Sequence, residues 1–194
     1  PSIGMSGEFD YRNNVLFNWG HRSMDGGDET SLINVINNYY KAGPATRSNM
    51  LSTMARMEER KQYSPGKALE NSRWYQAMSE RPGKWYVAGN IVENAPEVTA
   101  DNWKGIGGKA DLARVNTPFE GWPVEQQPAQ DAYESVLAKA GATLPRRDAV
   151  DRRVVEMVRA GQPAYKDGII TNPTQVGGYP ELTFTAEQLP ADTD

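Results

Sequence analysis

An asparagine recurs in fixed register within three similar segments of this 194-residue chain. Phe9-Asp10-Tyr11-Arg12-Asn13-Asn14-Val15 aligns with Ile33-Asn34-Val35-Ile36-Asn37-Asn38-Tyr39 at an offset of 24 residues. Trp85-Tyr86-Val87-Ala88-Gly89-Asn90-Ile91 follows after a further 52. In each copy large apolar side chains occupy alternate positions, and β-branched or aromatic residues dominate, so each reads as a short strand. Strands at one spacing and then about twice that spacing suggest a chain climbing around an axis, as in a parallel β-helix, where equivalent positions stack. Stacking also gives the asparagine a reason. Amides placed over one another at a bend hydrogen-bond in a ladder and satisfy each other's polar groups. A helical solenoid would need 3.6-residue periodicity that these segments lack. The plainer alternative is chance recurrence of a strand-turn unit in an antiparallel meander.

The predicted organisation is mainly β. Residues 1–104 form the stacked strands, interrupted by an insertion over 44–83, and residues 105–194 wrap and pack on them as part of the same domain. In the insertion, Met50, Met54 and Met57 are spaced for one helical face, and Ala68 to Met78 reads as a second short helix. Such a methionine stripe reads as packing, so the insertion is an excursion covering the coil. Lys109 to Gln127 is a Gly/Pro-punctuated wrap anchored by Phe119 and Trp122. Tyr133, Val136, Leu137 and Ala140 mark a helix stopped by Gly141. Asp148 caps another that turns Val150, Val154, Val155 and Val158 inward and ends at Gly161. Ile169-Ile170 and Val176 to Pro180 read as loops packing back, and Leu189 to Asp194 as a frayed end.

Composition removes several chemistries. There is no Cys and one His, so thiol catalysis, disulfides and a Cys/His zinc site are excluded. A net charge of −4 argues against a nucleic-acid-coating or polybasic membrane-binding role. No apolar run reaches the length of a membrane span. Gly105 to Ala110 fits a loose dinucleotide pattern, but Asp101 to Lys104 is a poor preceding strand, so it reads as a flexible loop. Asp25 to Glu29 concentrates carboxylates that could interest Ca²⁺, yet without further ligand spacing it reads as a solvated turn. Arg146, Arg147, Arg152, Arg153 and Arg159 are interleaved with Asp148, Asp151 and Glu156, which predicts a salt-bridged helix face. His21 has no Ser or acid at a catalytic spacing and reads as a surface or packing residue. Arg12, Arg22, Lys41 and Arg47 fall on successive turns. On a stacked coil they could line one cationic groove suited to an extended acidic polymer, against the simpler reading of solubility charge.

Asp10 to Val15 with Asn18-Trp19-Gly20, and then Val35 to Thr46, resembles the bacterial pectate lyases. Gly89-Asn90, Asp101-Asn102-Trp103, Gly141 to Asp151, Gly168-Ile169-Ile170 and Val176 to Pro180 look like the same family's closing segments. The resemblance covers nearly the whole chain and corresponds to the C-terminal part of such an enzyme. It implies a right-handed parallel β-helix from a secreted or periplasmic bacterial polysaccharide lyase. Family members cleave acidic pectate-like uronans by β-elimination, with Ca²⁺ bridging substrate and protein carboxylates and an Arg withdrawing the C5 proton. The developing charge must be neutralised by cations.

The sequence departs from that pattern at its start. Pro1 stands where the family has the Pro following its basic Arg, and Ser2, Ile3 and Gly4 stand where a second Arg is expected. No catalytic residue and no metal ligand is therefore carried over. Ca²⁺ is expected for the parent enzyme with its ligands outside this chain, and the 194 residues alone are expected to be inactive. The share of the site that remains is substrate binding by Arg12, Arg22, Lys41 and Arg47. The expected partners are an acidic polysaccharide and an upstream β-helix portion covering the bare first turn, with no nucleic acid and no membrane. A chain of a different class, a non-catalytic polysaccharide-binding or structural β-helix, would share the groove and lack the base.

Overall fold

In the computed structural model, which describes residues 2–3, 7–27, 29–57 and 82–179, ten strands among the described residues form three parallel sheets. The chain visits the sheets in fixed order. β1 (Ser2–Ile3), β2 (Gly7–Arg12) and β3 (Val15–Phe17) make the first circuit, and β4 (Asp25–Gly26), β5 (Ser31–Ile36) and β6 (Tyr39–Lys41) the second. β7 (Ala55–Met57), β8 (Lys84–Ala88) and β9 (Ile91–Val92) make the third, and β10 (Ile106–Gly107) opens a fourth. The sheet orders are β1-β4-β7-β10, β2-β5-β8 and β3-β6-β9. All the pairings are parallel, which excludes the antiparallel meander.

Register follows the repeat. Phe9 pairs with Ile33 and Ile33 with Trp85, while Tyr11, Val35 and Val87 form the next column. These columns, with Leu16, Tyr40 and Val92 from the third sheet, Met57 from the first and Met24 and Met54 just before its strands, fill one interior. Pairing at this register is dictated by the apolar alternation, because a slip of one residue would turn each column to solvent.

The corner between the second and third sheets is sharp. Asn13, Asn37 and Gly89 occupy it with φ of 52°, 53° and 69°. Asparagine tolerates this left-handed conformation and glycine adopts it without strain. In the third circuit glycine leaves room for the Asn37 amide, whose Oδ1 would lie 2.0 Å from a Cβ on residue 89 and would have to move aside.

Immediately after the corner the asparagines stack. Asn14 donates its backbone N–H and its Nδ2 to Asn38 Oδ1 at 3.0 and 2.9 Å. Asn38 repeats this towards Asn90 Oδ1 at 2.9 Å in both cases, and Asn90 towards Asn102 Oδ1 at 2.8 and 3.0 Å. Asn38, Asn90 and Asn102 are buried. The fourth member, Asn102, lies on a 3-10 turn (Asn102–Gly105) and not on a strand, 12 residues beyond Asn90. That break in spacing hides it from a search for repeats.

Helices close one end. α1 (Pro96–Ala100) buries Val98, the 3-10 turn follows, and α2 (Ala110–Ala113) buries Ala113. α3 (Ala129–Lys139) and α4 (Ala149–Ala160) lie on the outer face of the third sheet, where Tyr133, Leu137 and Val158 cover Tyr39 with Val15, Phe17 and Ile91 around them. Asp148 accepts from Asp151 N and Gly161 terminates α4 with φ 66°, as the capping residues predict.

Several predicted details are corrected. Met50, Met54 and Met57 do not share a helix: Ser48–Met50 is a 3-10 turn and Met57 ends strand β7, where inward packing consumes Met54 and Met57. The predicted helix from Ala68 to Met78 and the chain end from Leu189 lie outside the described residues. Asp25–Gly26 is strand β4 and not a solvated turn, and Gly105 to Ala110 contains β10 and not a flexible loop. Trp122 is 87% exposed and anchors nothing. The wrap is held by amides instead, which stand in for a neighbouring strand's backbone. Asn34 exchanges two hydrogen bonds with the backbone of Phe119, and Asn13 two with that of Gln127. Among the described residues the arginines of and just before α4 do not build a salt-bridged face: Arg147, Arg152 and Arg153 donate to backbone carbonyls. Among the described residues Arg159 alone of the five approaches a carboxylate, Glu134, at 3.6 Å. Ile169 and Ile170 are exposed; the loop is tied by Asn18 Nδ2 donating to Asp167 O at 2.8 Å, not by apolar burial.

Candidate functional site

β6 delivers Lys41 to the third sheet's outer face, at the C-terminal end of α4. Its Nζ donates to the Arg159 carbonyl at 3.1 Å and to Tyr133 Oη at 3.4 Å, and it lies 5.5 Å from the centre of that ring. Glu93 is 3.8 Å away. An ammonium here complements the unpaired carbonyls and negative dipole of a helix end. Around it opens a cavity of about 460 Å³ bounded by Lys41 to Pro44, Glu93-Asn94 and Ala160 to Gln162. Beside the apolar Leu51 and Pro44 the wall offers a carboxylate, two amides, an ammonium and backbone groups, a set that suits a hydroxylated ligand better than an apolar one. Behind it the Tyr39 phenol is pushed up to about 12, first by burial and then by the negative charge of Glu93.

The other three predicted binding residues stand elsewhere. Arg12 ends β2 in the second sheet and is ion-paired to Asp10. Arg22 lies beside β4 of the first sheet, 2.8 Å from Asp25. Arg47 is exposed in the turn before Ser48–Met50. Three of the four cations thus face carboxylates, on three different sheets. His21 is exposed. Glu93 and Tyr133 were not among the predicted site residues. Glu93 was legible: it follows Lys41 at the same 52-residue offset that relates Asn90 to Asn38. Tyr133 comes from a helix whose docking no local pattern states.

A second, smaller cavity of about 170 Å³ lies where the wrap crosses β2 and β5, between Asn34, Asp10 and Phe119 to Trp122. Among the described residues no group of three His, Cys, Asp or Glu side chains converges as a metal site. No helix among them is long and apolar enough to cross a membrane. The chain matches no protein-family model and no curated protein.

Lys41 links three elements, so its removal should be felt in stability. Lys41→Ala is expected to lower the urea-unfolding free energy by about 1–2 kcal/mol through two lost hydrogen bonds and an exposed helix end. Lys41→Arg, which can still reach the carbonyls, is expected to recover about half of that loss. An unchanged midpoint in Lys41→Ala would show that the lysine does not hold α4 to the sheet.

Proposed function

We propose that the chain is the C-terminal part of a right-handed parallel β-helix polysaccharide lyase acting on pectate-like uronans by Ca²⁺-assisted β-elimination, and that its own contribution is to hold the polymer. One observation carries the reading. The corner residues Asn13, Asn37 and Gly89 and the stacked Asn14, Asn38 and Asn90 fall in the sequence blocks that resemble the pectate lyases, and they recur at the same register in parallel strands. The resemblance in words and the stacking in space therefore rest on the same residues.

Ca²⁺ takes six to eight oxygen ligands in a lyase-type site. Among the described residues no three acidic side chains converge into such a set, and Asp25, Asp10 and Glu93 each face a cation. No step of the elimination is assigned to these residues. Polymer binding falls to the cavity beside Lys41 and to the exposed Arg47, in a secreted or periplasmic protein. The carboxylate pairing of Arg12, Arg22 and Lys41 also favours a second reading, a structural or non-catalytic β-helix with little affinity for uronans.

Affinity electrophoresis separates the two. In gels containing polygalacturonate the chain is expected to be retarded, less so as salt rises, and less in Arg47→Ala. Neutral galactan should not retard it. Equal mobility with and without polygalacturonate overturns polymer binding and leaves the structural reading. Incubated with polygalacturonate and Ca²⁺, the chain alone should release no unsaturated product. Its release would place the base within these residues.

A further inference from the structure

Among the described tryptophans Trp122 alone is exposed, at 87%. A ring of this size left in water is informative where the backbone beneath it is fixed. Here it is. Asn34 holds Phe119 by two hydrogen bonds of 3.0 Å, and Asn13 holds Gln127 by bonds of 2.7 and 3.2 Å, so residues 120–126 arch over β2 between two staples. Pro118, Pro123 and Pro128 restrict the same stretch. Gly121 lets the arch lie on the strand, since a Cβ there would come within 2.7 Å of Asp10 Oδ2. The arch therefore presents Trp122 to solvent from a fixed position.

Trp122 borders the cavity of about 170 Å³ on the outer face of the second sheet. Alternation on β2 turns Phe9 and Tyr11 to the interior and Glu8 and Asp10 outward, so two carboxylates line the strand side of this space and Glu120 the arch side. The cations of this face are engaged. Arg12 pairs with Asp10, and Lys84, next to Leu32 in the Glu8 column, donates to the Leu112 carbonyl at 2.8 Å. Glu8 and Glu120 carry no ion pair among the described residues. The space is well below the roughly 300 Å³ at which pockets for whole drug-sized ligands begin, so it admits a head group and not a sugar chain. A negative wall beside an aromatic face repels uronate carboxylates and attracts a cation, through the ring's negative face and the carboxylates together. A metal ion would ask for converging oxygen ligands and make no use of the ring, and no three acidic side chains converge among the described residues.

We propose that this cavity binds an organic cation of the alkylated ammonium class, with the Trp122 ring against the charged group and Glu8 and Glu120 supplying the counter-charge. Asp10, already paired with Arg12, adds shape more than charge. The methyl shell of such a cation lies on the ring while its charge faces the carboxylates, which separates it from Na⁺ on one side and from an uncharged sugar on the other. The site lies on the second sheet and the polymer cavity beside Lys41 on the third, so loss of one leaves the other intact.

The test is a titration of the isotope-labelled full chain with choline chloride, followed by nuclear magnetic resonance at the Trp122 indole N–H and the Gly121 amide. Both signals are expected to move and saturate, with a dissociation constant on the order of millimolar, and to respond less as sodium chloride is raised. Neohexyl alcohol, the uncharged isostere of choline, should bind about tenfold more weakly or worse. Trp122→Ala, read at Gly121, is expected to weaken choline about tenfold, and Glu8→Gln combined with Glu120→Gln about fivefold. All three side chains are exposed, so these variants should melt with the parent. A response that never saturates would overturn the site. So would equal affinity for choline and neohexyl alcohol, which marks a plain apolar patch, or choline binding indifferent to either set of substitutions.

Discussion

Asn90→Ala is expected to destabilise the chain by about 3–5 kcal/mol, a fifth or more of the roughly 5–15 kcal/mol that holds a domain of this kind together. The side chain is 1% exposed and sits at the middle of the ladder. Its oxygen accepts both the backbone N–H and the Nδ2 of Asn38, and its Nδ2 donates to Asn102 Oδ1 and to the Val35 and Ala88 carbonyls. Alanine removes all of these at once and leaves two buried donors on Asn38 without an acceptor. Each such orphan costs about 1–3 kcal/mol, because water cannot reach it. Asn90→Asp should be no better. It keeps the acceptor but loses the donors to Val35 and Asn102, and brings a charge into the interior. The expected reading is a fall in Tm of roughly 10 °C at unchanged far-UV dichroism, against almost none for the exposed Asn116→Ala. A loss below about 1 kcal/mol would mean that the amides stack without supporting one another.

The ladder also shows how much of this fold can be read from residues. Its first three members, the parallel pairing and the interior columns follow from one repeat. Period-2 alternation chooses the inward side chains, and the asparagine fixes the register. What escaped depended on contacts between distant segments. Asn102 reaches the ladder from a turn at a spacing of 12. β7 and β10 are three and two residues long, too short to display a period. Trp122 looked like an anchor because it is large, whereas the wrap is pinned by the small amides of Asn13 and Asn34, which no hydrophobic count would select. The candidate site divides in the same way. Lys41 and Glu93 share a column and so share a signal, but Tyr133 and the Arg159 carbonyl arrive on helices whose docking is set by shape. The partial burial of α4 is the informative residue of that comparison. Its sequence promises a fully buried valine face, and the strands present cover only part of it.

Alkaline conditions should dismantle the fold abruptly, and the tyrosines set where. Tyr39 is raised from 10.0 to about 12, by burial first and then by Glu93. Tyr40 is pushed higher still, by complete burial and then by the neighbouring Tyr11, with Ser23 opposing weakly, and Tyr11 itself is raised by burial. A phenol whose folded pKa exceeds its unfolded value keeps its proton in the native state while the unfolded chain gives it up. Its stabilisation is therefore complete below pH 10 and is lost as pH climbs through the folded value. A fully linked tyrosine steepens the fall by about 1.4 kcal/mol per pH unit; the wholly buried Tyr40 supplies the larger share, and the solvent-screened Tyr39 and the half-buried Tyr11 smaller ones. Urea midpoints should be nearly flat up to about pH 9 and collapse beyond 10, with phenolate absorbance rising in the same transition. Tyr40→Phe isolates the larger share. The Tyr40 hydroxyl makes no hydrogen bond of normal geometry among the described residues, so phenylalanine leaves no partner orphaned and should cost less than about 0.5 kcal/mol at pH 7. Above pH 10 the same variant should lose stability distinctly less steeply than the parent. A parent and a Tyr40→Phe chain with equal alkaline slopes would remove this phenol from the account, and a parent with no slope at all would mean that the core admits hydroxide without unfolding.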